Sequence, residues 1–298
     1  MFKRFLTRPK KFVGVELGKE KIKVAVIEWN GKLNVCSLSS AATPSEWNEP
    51  QDEEGDNGNL VAALCQAADE AGVMNEKIFF TIEGNQITLR HIKIPFMSKR
   101  ELAKAVKWEM NRLFPDLSDE IIYRYLVLGR IDENHRKYLN VLLITVKKKL
   151  VIKYYNIFQA CGLKLTSFDI SALALWRLYK DDYNENVALV YLSNSMAHMI
   201  VMKDNQINFI RSFSKYNLQN LLKQLEITLQ YFKHNFSLPA IQRLILSGKY
   251  NEYNNILTLV EKKTGIPAKF GSPSILKHSV SIDPDFEVAL GLALGGVI

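Results

Sequence analysis

Two stretches of this chain, offset by about 175 residues, follow the same plan, and that duplication constrains the fold more than any single motif. Strand-like apolar runs at 12–17, 22–29 and 33–38 open the first copy. The last two are joined across Asn30-Gly31, a dipeptide suited to the tight turn of a hairpin. Runs at 187–192, 196–202 and 206–213 open the second copy, with Asp204-Asn205 at the matching bend and a long helix over 217–236 behind them. The offset carries Glu16 onto Tyr191, Gly18 onto Ser193 and Asn30 onto Asn205. A repeated βββα plan predicts two related lobes, each with a mixed sheet, facing one another across a cleft.

Between the copies the punctuation is legible. Residues 44–59 hold six acidic groups, no basic one, two prolines and two glycines, so they read as an exposed loop. Asn59 is expected to cap a helix that runs to Ala71 and ends at Gly72. Strands are expected at 77–82 and 86–94 around a Glu83-Gly84-Asn85 turn, with Pro95 stopping the second. Ser98-Lys99-Arg100-Glu101 is a capping box, and Leu102, Val106, Met110 and Leu113 share one face of the helix it starts. Two further strands, 123–128 and 138–146, precede a helix over 148–161 closed by Gly162. The division expected is a basic N-terminal segment at 1–11, a first lobe at 12–83 and 147–182, an inserted α+β unit at 84–146, and a second lobe at 183–298.

At 298 residues and 47% hydrophobic, the chain has ample material for two cores. Its longest apolar stretches, 138–146 and 288–298, fall far short of the roughly 18 residues of a membrane span, and its first residues begin no signal-peptide core. Cys36, Cys65 and Cys161 are widely separated and form no CxxC pair, so reduced thiols are the expectation. The net charge of +8 is concentrated rather than general. Residues 1–23 carry eight basic and two acidic groups, and the remainder is nearly balanced, with 31 basic and 29 acidic. Lys3, Arg4, Arg8, Lys10 and Lys11 interleave with Phe2, Phe5 and Leu6, which suits either a segment resting on anionic headgroups or a solvated, frayed terminus. No basic stripe with stacking aromatics recurs, so nucleic acid is not an expected partner.

Five pieces of the sequence resemble the actin-like ATPase superfamily, and within it the PilM family of type IV pilus assembly proteins, relatives of FtsA. They are Gly14-Val15-Glu16-Leu17-Gly18 with Ile22-Lys23; Ile94-Pro95-Phe96-Met97-Ser98 with Glu101-Leu102; Trp108-Glu109 leading to Phe114-Pro115; Ala160-Cys161-Gly162-Leu163 leading to Phe168-Asp169; and Asp283-Pro284 with the apolar run that starts at Val288. The resemblance implies an α/β, actin-like (ribonuclease H-like) two-lobed fold in which one hairpin per lobe cradles the phosphates of ATP. It places Gly14, Glu16, Gly18, Lys19 and Lys23 at the first hairpin, Ser193, Asn194 and Ser195 at the second, and Ser247 and Gly248 on the adenosine side.

The motifs are damaged at that ligand. Glu16 stands where the family has Asp, and the second hairpin reads Tyr191-Leu192-Ser193 where the family has Asp-x-Gly. A Gly-Gly pair expected after the third strand of that lobe is Ser214-Lys215. Metal-assisted hydrolysis therefore lacks a carboxylate, and the expectation is a vestigial site with no catalytic residue, no metal site and no required cofactor. ATP with Mg²⁺, gating assembly through its hydrolysis, is the alternative. Lys19 and Lys21 could supply counter-charge to a phosphate, or simply face solvent. The five histidines are isolated, and neither Ser247-Gly248 nor Cys161-Gly162 lies in a nucleophile elbow.

The resemblance further implies a cytoplasmic scaffold, peripheral on the inner face of the inner membrane, that binds the cytoplasmic tail of a PilN-like bitopic protein and links it to pilus motor ATPases. The expected mode is an extended peptide in a groove between the first lobe and the 84–146 unit, tested at Arg90, Met97, Trp108, Leu113 and Phe114, with core packing as the competing account of each.

Overall fold

The computed structural model describes residues 10–30, 33–45, 57–73, 76–81, 87–117, 119–133, 135–194, 196–215, 217–236, 240–249, 254–276 and 282–297. Lys3, Arg4, Arg8, Gly31, the Glu83-Gly84-Asn85 turn, residues 46–56 of the acidic loop and Ser195 lie outside them. The first copy forms β1 (Lys10–Leu17), β2 (Lys21–Trp29) and β3 (Leu33–Ala42). It is completed by α1 (Gly58–Glu70) and β4 (Lys77–Thr81). Lys10 and Lys11, read from sequence as part of a separate basic segment, open β1 instead, because β2 runs on to Glu28 and Trp29 and supplies their pairing partners. The N-cap position of α1 falls at Asn57, two residues before the expected Asn59, and its side chain makes no capping hydrogen bond.

The inserted unit follows as β5 (Ile87–Pro95), α2 (Lys99–Leu113), β6 (Ile121–Glu133) and β7 (Arg136–Lys147). Ser98 and Glu101 form the reciprocal capping box that the sequence foretold. Strand β6 is five residues longer than expected at its end, because a bulge between Val127 and Gly129 lets pairing with β7 continue to Glu133. The sheet order is β5-β7-β6, and alternation along β7 gives it two apolar faces. Leu139, Val141 and Leu143 pack under α2 with Ile94, Leu102, Val106 and Met110. Leu142 faces the other way, into the core shared by the lobes.

The chain returns through α3 (Lys148–Ala160), β8 (Lys164–Asp169) and α4 (Ser171–Tyr179). The second copy is β9 (Val187–Leu192), β10 (Met196–Lys203), β11 (Gln206–Ser214) and α5 (Leu218–Asn235). After it come β12 (Arg243–Gly248), α6 (Ile256–Thr264), β13 (Ala268–Phe270) and α7 (Glu287–Leu294). The sheet orders β3-β2-β1-β4-β8 and β11-β10-β9-β12-β13 are the same plan twice, antiparallel through the hairpins and parallel beyond them. The fold is thus the actin-like, two-lobed one with a duplicated βββα plan. Among the described residues no helix is long and apolar enough to cross a membrane.

Each sheet is covered on its outer face by helices of its own lobe. In the first lobe Val13, Val15, Val24 and Val26 meet α1 and α3, and Phe80 packs against the rings of Tyr154 and Phe158. Cys65 and Cys161, expected to be free thiols, are joined there in a disulfide: packing of α1 against the end of α3 brings their Cα atoms to 5.3 Å across 96 residues of sequence. On the inner faces Ala25, Ile27, Leu189 and Ile200 share one core with α4 and α7.

In the second lobe Ala188, Val190, Ala197 and Met199 lie under Leu221, Leu225 and Phe232 of α5, so the apolar stripe of that helix is core. Leu225 is fully buried, and Leu225→Ala should cost about 2–5 kcal/mol, the usual range for a truncated buried leucine. Chemical denaturation measures it; an unchanged midpoint would make α5 a docking surface rather than a structural helix.

Candidate functional site

The first hairpin places Glu16 and Lys23 opposite one another, since they are register partners of β1 and β2. Both side chains are buried, at 1% and 7% exposure. Lys23 Nζ donates to Glu16 Oε1 at 3.2 Å and to Asp285 Oδ1 at 2.8 Å. Asp285 comes from the short 3-10 turn Pro284–Phe286 that feeds α7. Lys249, just past β12, lies 3.8 Å from Asp285 Oδ2 and 3.7 Å from Glu20 Oε2, so it ties the second lobe to the turn of the first. Burial pushes the Glu16 carboxyl up from its ordinary range, with Lys23 pulling against it. Its Oε2, like Asn194 Oδ1, is buried without a hydrogen-bond partner among the described residues.

The second hairpin closes on itself. The Ser193 amide donates to the Met196 carbonyl at 2.9 Å, and the Met196 amide donates back to Ser193 Oγ at 3.1 Å, so the hydroxyl expected to meet a phosphate is consumed by its own turn. Tyr191, in place of the family's Asp, is fully buried and stacks on His198. Between the two hairpins Glu16, Gly18, Lys19, Lys23, Ser193, Asn194, Lys249 and Asp285 line a cavity of about 20 Å³, room for a single water. A magnesium–triphosphate group does not fit these residues. The Lys23 ammonium already bonds both carboxylates that would face a metal, and the space is that of one small molecule.

Three of the candidates serve other ends. Gly14 faces α7, where a Cβ would overlap the Ala289 carbonyl; it is a close-packing glycine, not a phosphate-turn one. Gly248 takes a left-handed φ of +82°, and a Cβ there would overlap the Leu192 carbonyl. Ser247 is fully buried, and its hydroxyl lies 2.7 Å from the Glu287 carboxylate and 2.9 Å from Tyr179 Oη, which itself donates to Glu287 at 2.8 Å. Lys19 and Lys21 are exposed at the rim of the same cavity, and the buried cation in it is Lys23. Asp285, Lys249, Glu287 and Tyr179 were absent from the sequence-derived site. The Lys23 to Asp285 contact spans 262 residues, a separation at which no spacing rule operates.

The partner candidates do not gather at one place. Met97, Leu113 and Phe114 pack on the core of the inserted unit, whereas Trp108 is 63% exposed on α2 with the Arg112 guanidinium 5.7 Å above its ring. Arg90 is exposed on β5, on a groove of about 550 Å³ that faces the second lobe, not the first. Lys10 and Lys11 are exposed at the start of β1. Among the described residues no cluster of three His, Cys, Asp or Glu could hold a metal ion.

The buried triad of Tyr179, Ser247 and Glu287 has a pH consequence. Burial pushes the Glu287 carboxyl up from 4.5 to about 7, against the hydrogen bonds from Ser247 and Tyr179. Between those values the folded chain holds a proton that the unfolded chain has released, so the contribution of Glu287 to stability is full below about pH 4.5 and is lost as pH rises to about 7. Glu287→Gln, which cannot ionise, should gain on the parent protein across that window by up to about 3 kcal/mol. Urea unfolding of both proteins at several pH values reads the difference, and a gap independent of pH would contradict the assignment.

Known proteins place this geometry. Among solved structures the chain is similar to a PilM-PilN type IV pilus biogenesis complex, with a TM-score of 0.80 and 17% identity over 96% of this chain and 98% of that one. It is also similar to the cytoplasmic domain of EpsL, an inner-membrane component of the type II secretion system of Vibrio cholerae, with a TM-score of 0.55 and 11% identity over 96% and 95%. A Bacteroides thetaiotaomicron protein of actin-like ATPase fold and unknown function matches with a TM-score of 0.54 and 12% identity over 91% and 94%. No curated protein sequence matches. At these identities the structures establish the fold alone. The family described as type IV pilus assembly protein PilM matches residues 14–214, well over half of the sequence, and the chain belongs to that family.

Proposed function

We propose that this protein is a nucleotide-independent scaffold of a type IV pilus, or of a related competence or secretion machine, lying on the cytoplasmic face of the inner membrane. On this reading it binds the cytoplasmic tail of a PilN-like bitopic protein and passes that attachment on to the motor ATPases. Family membership and the likeness to a relative solved as a PilM-PilN complex support the partner. The observation that carries nucleotide independence is Lys23, a buried ammonium seated between Glu16 and Asp285 where a phosphate-bound metal would need both acids free.

Calorimetry tests both halves. Mg-ATP should give no saturable heat at micromolar concentrations, and the affinity of a PilN-like tail peptide should be the same with and without it. Micromolar Mg-ATP binding, or tail binding that needs nucleotide, would favour the working ATPase. We assign the tail to the inserted unit, so Trp108→Ala should weaken tail binding roughly tenfold or more, as expected for an exposed aromatic anchor, without lowering the melting temperature.

The same reading gives the N-terminus a task. Deleting residues 1–9 removes Lys3, Arg4 and Arg8 and leaves β1 complete. Co-sedimentation with liposomes should then fall, most on anionic lipid. Equal partitioning of the two proteins would mean that these residues take no part in membrane attachment.

A further inference from the structure

Strand β5 is the edge of the inserted sheet and β11 the edge of the second-lobe sheet, and the groove of about 550 Å³ that holds Arg90 opens between them. An edge strand presents unpaired main-chain N–H and C=O groups to whatever lies beside it. Part of the β11 edge is already answered by side chains of the inserted unit. His91 Nε2 lies 2.8 Å from the Ile210 carbonyl oxygen and 3.3 Å from its amide nitrogen, and Asn140 Nδ2 donates to the Asn208 carbonyl at 3.0 Å. The outward-facing groups of β11 are therefore those of Asn208 and Ile210, and strand alternation puts those of Ser212 on the same open side, in the groove and beyond the reach of His91.

The groove has a definite chemistry. Its walls carry Ile87 and Leu89 from β5 and the exposed Ile227 and Tyr231 from α5. Two guanidinium groups belong to it, and among the described residues no carboxylate does. Arg211 is half-buried and donates only to neutral acceptors, Thr228 Oγ1 at 3.0 Å and Gln224 Oε1 at 3.5 Å. No ion pair offsets Arg211 or Arg90 among the described residues. A fixed, half-desolvated cation without a counter-ion favours an anionic occupant, and a free strand edge favours an extended one.

We propose that this groove binds an extended acidic peptide, which adds as a strand to the β11 edge at Ser212 and sets its carboxylates against Arg90 and Arg211 while its apolar side chains lie on Ile87 and Ile227. The site is distinct from the Trp108 surface assigned to the membrane-protein tail, and it stands or falls separately.

Fluorescence polarisation tests it on the full chain, with a labelled peptide alternating glutamate and valine as probe. Controls are the lysine-valine counterpart and the glutamate-valine peptide N-methylated at every residue, which cannot donate to a ladder from either edge. The expected result is saturable binding of the first probe alone, weakened at least tenfold by Arg90→Glu and by Arg211→Gln, and unchanged by Trp108→Ala. Arg90 is exposed and makes no ion pair among the described residues, so Arg90→Glu should fold as the parent does, which a thermal melt checks. Absent binding, equal binding of the lysine probe or of the N-methylated probe, or indifference to Arg90→Glu would overturn the proposal, as would a signal traced by sedimentation to self-association of the chain.

Discussion

Helix α7 is buried along its whole length, from Glu287 to Leu294, and the rest of the molecule is arranged to make that burial feasible. A helix apolar on every side has no solvent face, so it is stable only where other elements enclose it completely. Here β1, β2 and β4 of the first lobe close one side and α4 closes another. The fit is tight enough to dictate residue types on both partners. Gly14 in β1 admits the backbone of α7 at Ala289, and Gly291 in α7 admits the backbone of α4 at Ala174; a methyl group at either position would overlap a carbonyl. Because α4 in turn packs on β10 and β11 of the second lobe, the α4–α7 contact joins the two lobes.

The polar chemistry of the cleft follows from where α7 begins. Its first turn carries Glu287 and is preceded by Asp285, acids at a helix N-terminus where the backbone dipole favours them. Each is then buried by the closure around the helix and must find partners. Asp285 takes Lys23 and Lys249, and Glu287 takes Ser247 and Tyr179. Buried ion pairs are poor sources of stability but strong sources of registry, since a slipped arrangement strands a charge in the interior. The Glu16–Lys23–Asp285 cluster therefore fixes how the opening hairpin meets the end of the chain, with Lys249 and Glu20 extending the tie from lobe to lobe.

The inserted unit is fastened by different means. Its β7 strand is apolar on both faces, one under α2 and the other against the shared core, so the unit is a wall of the protein and not an appendage. Where it meets the second lobe the contact turns polar and main-chain directed, with His91 and Asn140 reading the edge of β11 as a neighbouring strand would. His91 also stacks on Phe209, which fixes the ring in place at the floor of the groove. Beyond Ile210 the groove continues along Arg211, Ser212 and Phe213 of β11.

The sequence by itself determined the repeat, and the repeat determined the architecture. Alternating apolar runs, Asn30-Gly31, Asp204-Asn205 and the Ser98–Glu101 box are local signals whose meaning depends only on neighbouring residues, and the elements they foretold are present. Elements without such signals were illegible: α7 has no amphipathic period because it is buried all round, and β8 and α4 follow one another with no strong punctuation. Residue types at the damaged motifs likewise said that a carboxylate was missing from the second hairpin. What filled the gap could be decided only by tertiary structure. Lys23 reads as one of several basic residues near a turn, and it becomes the buried cation of the cleft because Asp285, 262 residues away, is brought to 2.8 Å from it. Gly14 reads as a phosphate-hairpin residue and Ser247 as an adenosine-side one, and in the fold they are a packing contact and a hydrogen bond in the core, because a glycine or a serine takes its role from what the fold places against it. Charge, hydropathy and turn chemistry are properties of short segments, whereas a site is a property of distances between segments, and those distances are set by burying α7.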